Sequence, residues 1–330
     1  MRYAEKENFL RVIRWDSPSH VCYPPPSRGL SYRGAWPADC RPSPEATQWR
    51  DDWGVTWTDL DGEVFPTGPA IGSINELGCL RPPDPRDPRR FETVRAALAG
   101  IDRDACFVSV NHPYFLYEKG FNLLGAEEFL VSFLADPAAA ERLLDAILDF
   151  ELGIAEGYVQ LRPDHVNLSD DYGMQDRLAV SPEVWRAFFK PRLKRMVDFY
   201  RNALGPETVV SLHSCGHVLP ILGDLIEIGI DILNPVQSTA NDLAEARRVT
   251  SGRLVLCGGI DGQHVLPLGT PEQVREEVLA KMDLLWEDGG YLPLPEKLLG
   301  VPDANRKAMD QAIHDWSAKY VEQREERERG

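Results

Sequence analysis

From residue 106 onward, short apolar runs of strand length alternate with longer amphipathic stretches, and no other feature limits the fold of this 330-residue chain so strongly. The strand candidates run from Cys106 to Val110, His165 to Leu168, Val209 to Leu212, Ile230 to Leu233, Leu254 to Cys257 and Gly290 to Leu292. Between them lie readable helix starts. Asp136-Pro137 places a capping residue before a first-turn proline, and Ser181-Pro182-Glu183 repeats the device ahead of a helix kinked or split at Pro191. Thr270-Pro271-Glu272-Gln273 spells a capping box, and Leu225 and Ile228 mark one more helix. Strands alternating with helices predict a parallel α/β architecture. No strand is followed by a glycine-rich phosphate loop, which favours a (β/α)8 TIM-like barrel over an open doubly wound sheet.

The first hundred residues read differently. They are rich in Pro, Trp, Arg and Gly, keep no clean period for long, and predict an irregular N-terminal extension that carries the first barrel elements. A first helix is expected at Lys6 to Ile13 and a barrel strand at Val21 to Tyr23, one of the two more needed to close eight. Trp49, Trp53 and Trp57 are spaced to stack on one helix face as a core staple, with a substrate-facing aromatic wall the alternative. The expected organisation is a single domain over 1–330, with regular β/α units over 101–320 and a frayed charged tail over 321–330.

Thirty-six basic against fifty-two acidic residues give a net charge of −16, which repels phosphate backbones and argues against nucleic acid as a partner. No apolar run approaches the ~20 residues needed to span a bilayer. The opening from Met1 to Asn8 lacks the basic-then-apolar plan of a signal peptide, so a cytoplasmic location is expected and no membrane partner. Six cysteines, at 22, 40, 79, 106, 215 and 257, are too irregularly spaced for a disulfide framework and read mostly as free core thiols.

In a β/α barrel the chemistry collects at the C-terminal ends of the strands. Those ends carry Asn111-His112, Ser169 to Gln175, His213 to His217, Asn234 to Gln237 and Cys257 to His264, more polar than a bare scaffold needs. His213 and Cys215, two residues apart, can share one metal ion, and Cys257 could add a third ligand. Three ligands with an open position suit a catalytic zinc. Asp170 and Asp171 are adjacent, so only one is expected to face the pocket, and an acid there can equally cap a helix. The catalytic candidates are Asp171, His213 and Asp261; His112, Asp170, Tyr172, Gln175, Asn234, Gln237 and His264 are expected to line the substrate site.

The stretch from His213 to Val218, followed by Leu225 to Gln237, resembles the uroporphyrinogen decarboxylase-like superfamily. So do Gly258-Gly259-Ile260-Asp261, Gly269-Thr270-Pro271-Glu272 and Gly289-Gly290-Tyr291-Leu292. The resemblance implies a β/α barrel and two branches of activity. The decarboxylase branch carries a basic motif ending near R-Q-A-G-R, which Arg28, Arg33 and Arg41 do not match. The corrinoid-dependent methyltransferase branch carries His-x-Cys and a distant cysteine after Gly-Gly-Tyr. Here His213 and Cys215 are in place, whereas Leu292 to Lys297 holds no cysteine, leaving Cys257, Asp171 or Glu296 as substitutes.

The resemblance thus implies a methyltransferase of O-demethylase type. It would move a methyl group between a methylated or methoxylated small molecule, as donor or acceptor, and a separate corrinoid (cobalamin) protein. Zinc is the metal this branch implies, and with the distant cysteine missing the expectation is either no tightly bound zinc or a site completed by another group; Asp171 or His213 would protonate the departing oxygen. The chain has no D-x-H-x-x-G cobalt-ligand motif, which places the corrinoid on a partner. The alternative is a decarboxylase or other lyase working by acid–base chemistry without metal.

Overall fold

A computed structural model describes residues 3–329. Its centre is a curled parallel sheet of seven strands: β1 (Ser27–Leu30), β5 (Phe107–His112), β6 (His165–Ser169), β7 (Val209–His213), β8 (Ile232–Val236), β9 (Val255–Gly258) and β10 (Tyr291–Leu292), hydrogen-bonded in that order. Strands β2 (Gln48–Arg50), β3 (Thr56–Leu60) and β4 (Glu63–Gly68) form a separate antiparallel meander. All six strand candidates are strands, within three residues at each end.

The interior of the curled sheet changes character along its length. At its N-terminal end Phe107, Val209, Ile232 and Val255 bury against Phe9, Val12 and Ile13 of the Glu5–Arg14 helix, which plugs that end. One layer up, His165 lies 2.7 Å from Ser109 Oγ and 2.8 Å from Ser211 Oγ, and Ser211 donates to Asn167 Oδ1 at 2.6 Å. Burial holds the His165 imidazole down to about 4. Above these lie Asn111, His213, Asn234 and Cys257. The alternate residues of the same strands, Val108, Val110, Val166, Leu168, Val210, Leu212, Leu233 and Leu256, face the helices and form the main core.

The helix starts form as their sequences dictate. Asp136 accepts from the Ala139 amide, and Thr270 and Gln273 complete a reciprocal capping box. The helix begun at Pro182 widens into a π segment over Trp185–Phe189, where the Lys190 amide bonds back to Trp185 just ahead of Pro191.

Four expectations need correction. Val21 to Tyr23 is not a strand: the Val21 amide donates to Ser317 Oγ, tying the segment to the last helix, and the strand of this region is β1. The TIM-like α/β arrangement is as expected, but seven strands rather than eight pair in the central sheet among the described residues. The three tryptophans do not share a helix. Trp49 and Trp57 pair across β2 and β3, and Trp53 sits in the intervening turn, where Asp51 Oδ1 accepts from the Trp53 and Val55 amides. All three are buried, as a core staple requires. The tail is not frayed over its described residues either: the Asp303–Arg329 helix continues to its end, and Arg324 is held by the Ser17 and Pro18 carbonyls. Met1, Arg2 and Gly330 lie outside the described residues. No helix is long and apolar enough to cross a membrane among the residues described. All six cysteines are free, although Cys79 is exposed rather than in the core.

Candidate active site

The loops after β6 and β7 meet at the C-terminal end of the sheet. Gly173 and Gly216 are in backbone contact there: a Cβ on Gly216 would lie 2.4 Å from Gly173 atoms, and one on Gly173 would lie 2.5 Å from the Cys215 carbonyl oxygen. Gly216 also has φ +79, a conformation that favours glycine. The side chain of Gln237 accepts from the Gly216 amide at 2.5 Å, and Asn241 donates to the Gly216 carbonyl at 2.9 Å. The loop carrying Cys215 is therefore pinned on both sides.

This contact brings Asp171, His213 and Cys215 together, with one ligand atom of each within 4.8 Å of the others. His213 Nε2 lies 3.8 Å from Asp171 Oδ1 and 3.7 Å from Cys215 Sγ. The Cys215 amide donates to Asp171 Oδ1 at 2.8 Å. His213 Nδ1 lies 2.8 Å from Asn234 Oδ1, and the Asn234 amide nitrogen donates to Cys257 Sγ at 3.1 Å. Asn234 thus presents its oxygen to Nδ1, which carries the proton and leaves the Nε2 lone pair facing Asp171 and Cys215.

Burial pushes the Cys215 thiol up to about 12, and the neighbouring carboxyl groups Asp171, Glu118 and Glu296 act in the same direction. Glu118 was not visible as a site residue in the sequence. It stands in the first turn of the Tyr117–Leu124 helix, and burial beside Asp170 and Asp171 raises its carboxyl so that it holds a proton at neutral pH. The available signal was an acid directly after the aromatic and apolar run from Tyr114 to Tyr117. Tyr114, also missed, is raised to about 12 by burial and by the nearby Glu118 and Asp171. Glu296 anchors Oε1 on the Ser238 amide at 2.5 Å and hydroxyl at 2.8 Å, while its Oε2 is buried with no protein partner. Burial raises that carboxyl.

Several expected site residues have other work. His112 is on the outer face of β5, fully buried, with Nδ1 2.7 Å from Glu151 Oε2 and Nε2 2.7 Å from the Tyr200 hydroxyl; strand alternation turns Asn111 inward instead. Asp170 and Asp171 do diverge. Asp171 enters the site, and Asp170 accepts from the Leu116, Tyr117 and Glu118 amides at 2.8–2.9 Å, capping a helix. Tyr172 is buried among Tyr117, Trp185 and Phe189.

Gln175 donates to the Thr239 carbonyl, Gln237 holds the Gly216 amide, and Asn234 holds His213. Asp261 accepts from the Gln263 and His264 amides and lies 3.3 Å from His264 Nδ1, in a turn of its own, while the His264 ring is mostly exposed. Cys257 faces inward, as its strand phase predicts, but Asn234 stands next to it and it is outside the Asp171, His213 and Cys215 group.

Comparison with known proteins places these loops in context. The chain is 24% identical over 201 residues to "Methylcobamide:CoM methyltransferase MtaA" of Methanosarcina barkeri, a match covering 60% of this chain and 55% of the relative, and a second M. barkeri strain gives the same figures. The chain thus spans about half the length of the curated relatives it matches. The fold is similar to that of a methyltransferase from Methanosarcina mazei, with TM-score 0.66 and 16% identity over 96% of this chain and 99% of that one. The family model for uroporphyrinogen decarboxylase (URO-D) matches residues 62–293, well over half of the sequence and inclusive of Asp171, His213 and Cys215, and the chain belongs to that family.

Proposed function

We propose that the protein is a methyltransferase that passes a methyl group between a methylated or methoxylated small molecule and a corrinoid carried by a separate protein. The carrying observation is the convergence of Asp171, His213 and Cys215 at the mouth of the curled sheet. The donor set fits zinc: a carboxylate oxygen, an imidazole nitrogen with its lone pair exposed, and a sulfur with carboxyl groups around it. Asp171 takes the third-ligand place that sequence reading offered to Cys257. When bound, zinc would supply a Lewis acid that lowers the pKa of a thiol or polarises an ether oxygen.

The chain's own residues supply the rest. Asn234 fixes the His213 tautomer, and Gln237 and Asn241 hold the Cys215 loop in register. Glu118 carries a proton into the site and is placed to give it to an oxygen that loses its methyl group. The similarity to a methylcobamide-dependent relative supports corrinoid chemistry for the partner.

The test uses methylcobalamin as surrogate donor and a panel of small thiols and phenols as acceptors, followed by the absorbance change on cobalamin demethylation. The reading expects turnover dependent on zinc and on both His213 and Cys215. Turnover unchanged in a His213→Ala, Cys215→Ala double variant would overturn it.

A further inference from the structure

Away from the sheet mouth, a cavity of about 430 Å³ is lined by five arginines, Arg33, Arg41, Arg50, Arg89 and Arg90, in a chain whose net charge is −16. Three of them have partners. Arg90 is buried and donates to the Asp84 carbonyl at 2.8 Å, the Arg33 carbonyl at 3.0 Å and Asp52 Oδ2 at 2.9 Å. Arg41 donates to Asp59 at 2.7 Å, and Arg89 folds back on Asp87 at 2.9 Å. Arg33 and Arg50 are exposed and have no side-chain partner among the described residues.

Three acids share the lining, and each is engaged: Asp52 and Asp87 as above, and Asp39 by the Gly34 and Trp36 amides at 3.0 and 3.2 Å. Arg41 is balanced by Asp59 just outside the lining and Asp39 is met by amides alone, so the unpaired charges are Arg33 and Arg50 against Asp39, a positive surplus. The wall is built: Gly34 has φ +87, and a Cβ there would lie 2.7 Å from the Arg90 guanidinium, so the close approach of chain to Arg90 depends on glycine. None of the groups acting on Cys215 lines this cavity, which makes it independent of the methyl-transfer reading.

Guanidinium groups present paired N–H donors that match the oxygens of phosphate, and the surplus charge here is positive. We propose that this cavity binds a phosphoryl group, with Arg33 and Arg50 closing on its oxygens against the fixed wall of Arg90. Its volume falls in the ~300–1,000 Å³ range of small-molecule pockets, which leaves room for an organic part beyond the phosphate itself.

Calorimetric titration of the full chain at constant ionic strength tests this, with phenyl phosphate, inorganic phosphate, benzoate and chloride as probes. Both phosphates should bind, and an Arg33→Ala, Arg50→Ala double variant should weaken them by about tenfold or more, the loss expected when charge-assisted bonds to an anion are removed. Its thermal midpoint should not change, since neither arginine has a partner to lose. Tighter binding of phenyl phosphate assigns the site to a phosphorylated small molecule, whereas equal binding of inorganic phosphate assigns it to the free ion. No heat with either phosphate, equal affinity in the double variant, or benzoate binding as tightly as phenyl phosphate would each overturn the proposal.

Discussion

Gly173 and Gly216 touch backbone to backbone, and through that contact the loop ending β6 delivers Asp171 to the thiol presented by the loop ending β7. A methyl group on Gly216 must push the loops apart, and its φ of +79 adds strain. Gly216→Ala should therefore weaken zinc binding by ~10-fold or more, as loss of supporting contacts around metal ligands commonly does. Gly223→Ala, where a Cβ meets nothing within 4 Å, should leave zinc binding unchanged. Competition with a chromophoric chelator measures both.

His112 and Glu151 belong to stability rather than to chemistry. Both are fully buried, and removing one partner leaves the other uncompensated. His112→Ala should destabilise the protein by ~3–5 kcal/mol in urea unfolding. Zinc affinity of the folded variant should stay at the parental value.

His165 predicts an acid limb of stability. Its folded pKa of about 4 lies below the ordinary 6.5, so the unfolded chain binds the extra proton between those values. Its contribution is complete above pH 6.5 and falls away as the pH drops toward 4, with a slope of up to ~1.4 kcal/mol per pH unit. His165→Asn should flatten that part of a urea-midpoint profile. An unchanged profile would show that the imidazole is protonated without penalty.

Cys215 should be a sluggish nucleophile without metal. With its thiol pushed up to about 12, only ~1 in 10,000 molecules carries the thiolate at pH 8. Alkylation followed by mass spectrometry, in a Cys79→Ser background that removes the exposed thiol, should find Cys215 nearly unmodified. Asp171→Asn removes a neighbouring negative charge, lowers the thiol pKa and should speed the reaction.

The strands were legible because their outward residues, Val108, Val166, Leu212 and Leu256 among them, are uniformly apolar, and the helices because their caps are local. The phase at a strand end was not legible. Whether Asn111 or His112 faces inward, and whether Asp170 or Asp171 does, is decided by where neighbouring chain supplies amides or a buried carboxylate. Those partners, Leu116 to Glu118 for Asp170 and Glu151 for His112, come from other elements. The β2–β4 meander was missed for the same reason. Trp49 and Trp57 pair across strands, and only the burial of the tryptophans was readable from their type.

The central claim is that Asp171, His213 and Cys215 together bind zinc, and X-ray absorption at the zinc edge of reconstituted protein tests it most directly. The account predicts one sulfur at ~2.3 Å with nitrogen and oxygen neighbours at ~2.0–2.2 Å. The sulfur should disappear in Cys215→Ala. A spectrum with oxygen and nitrogen neighbours alone in the parent protein, or a sulfur that persists in Cys215→Ala, would contradict it.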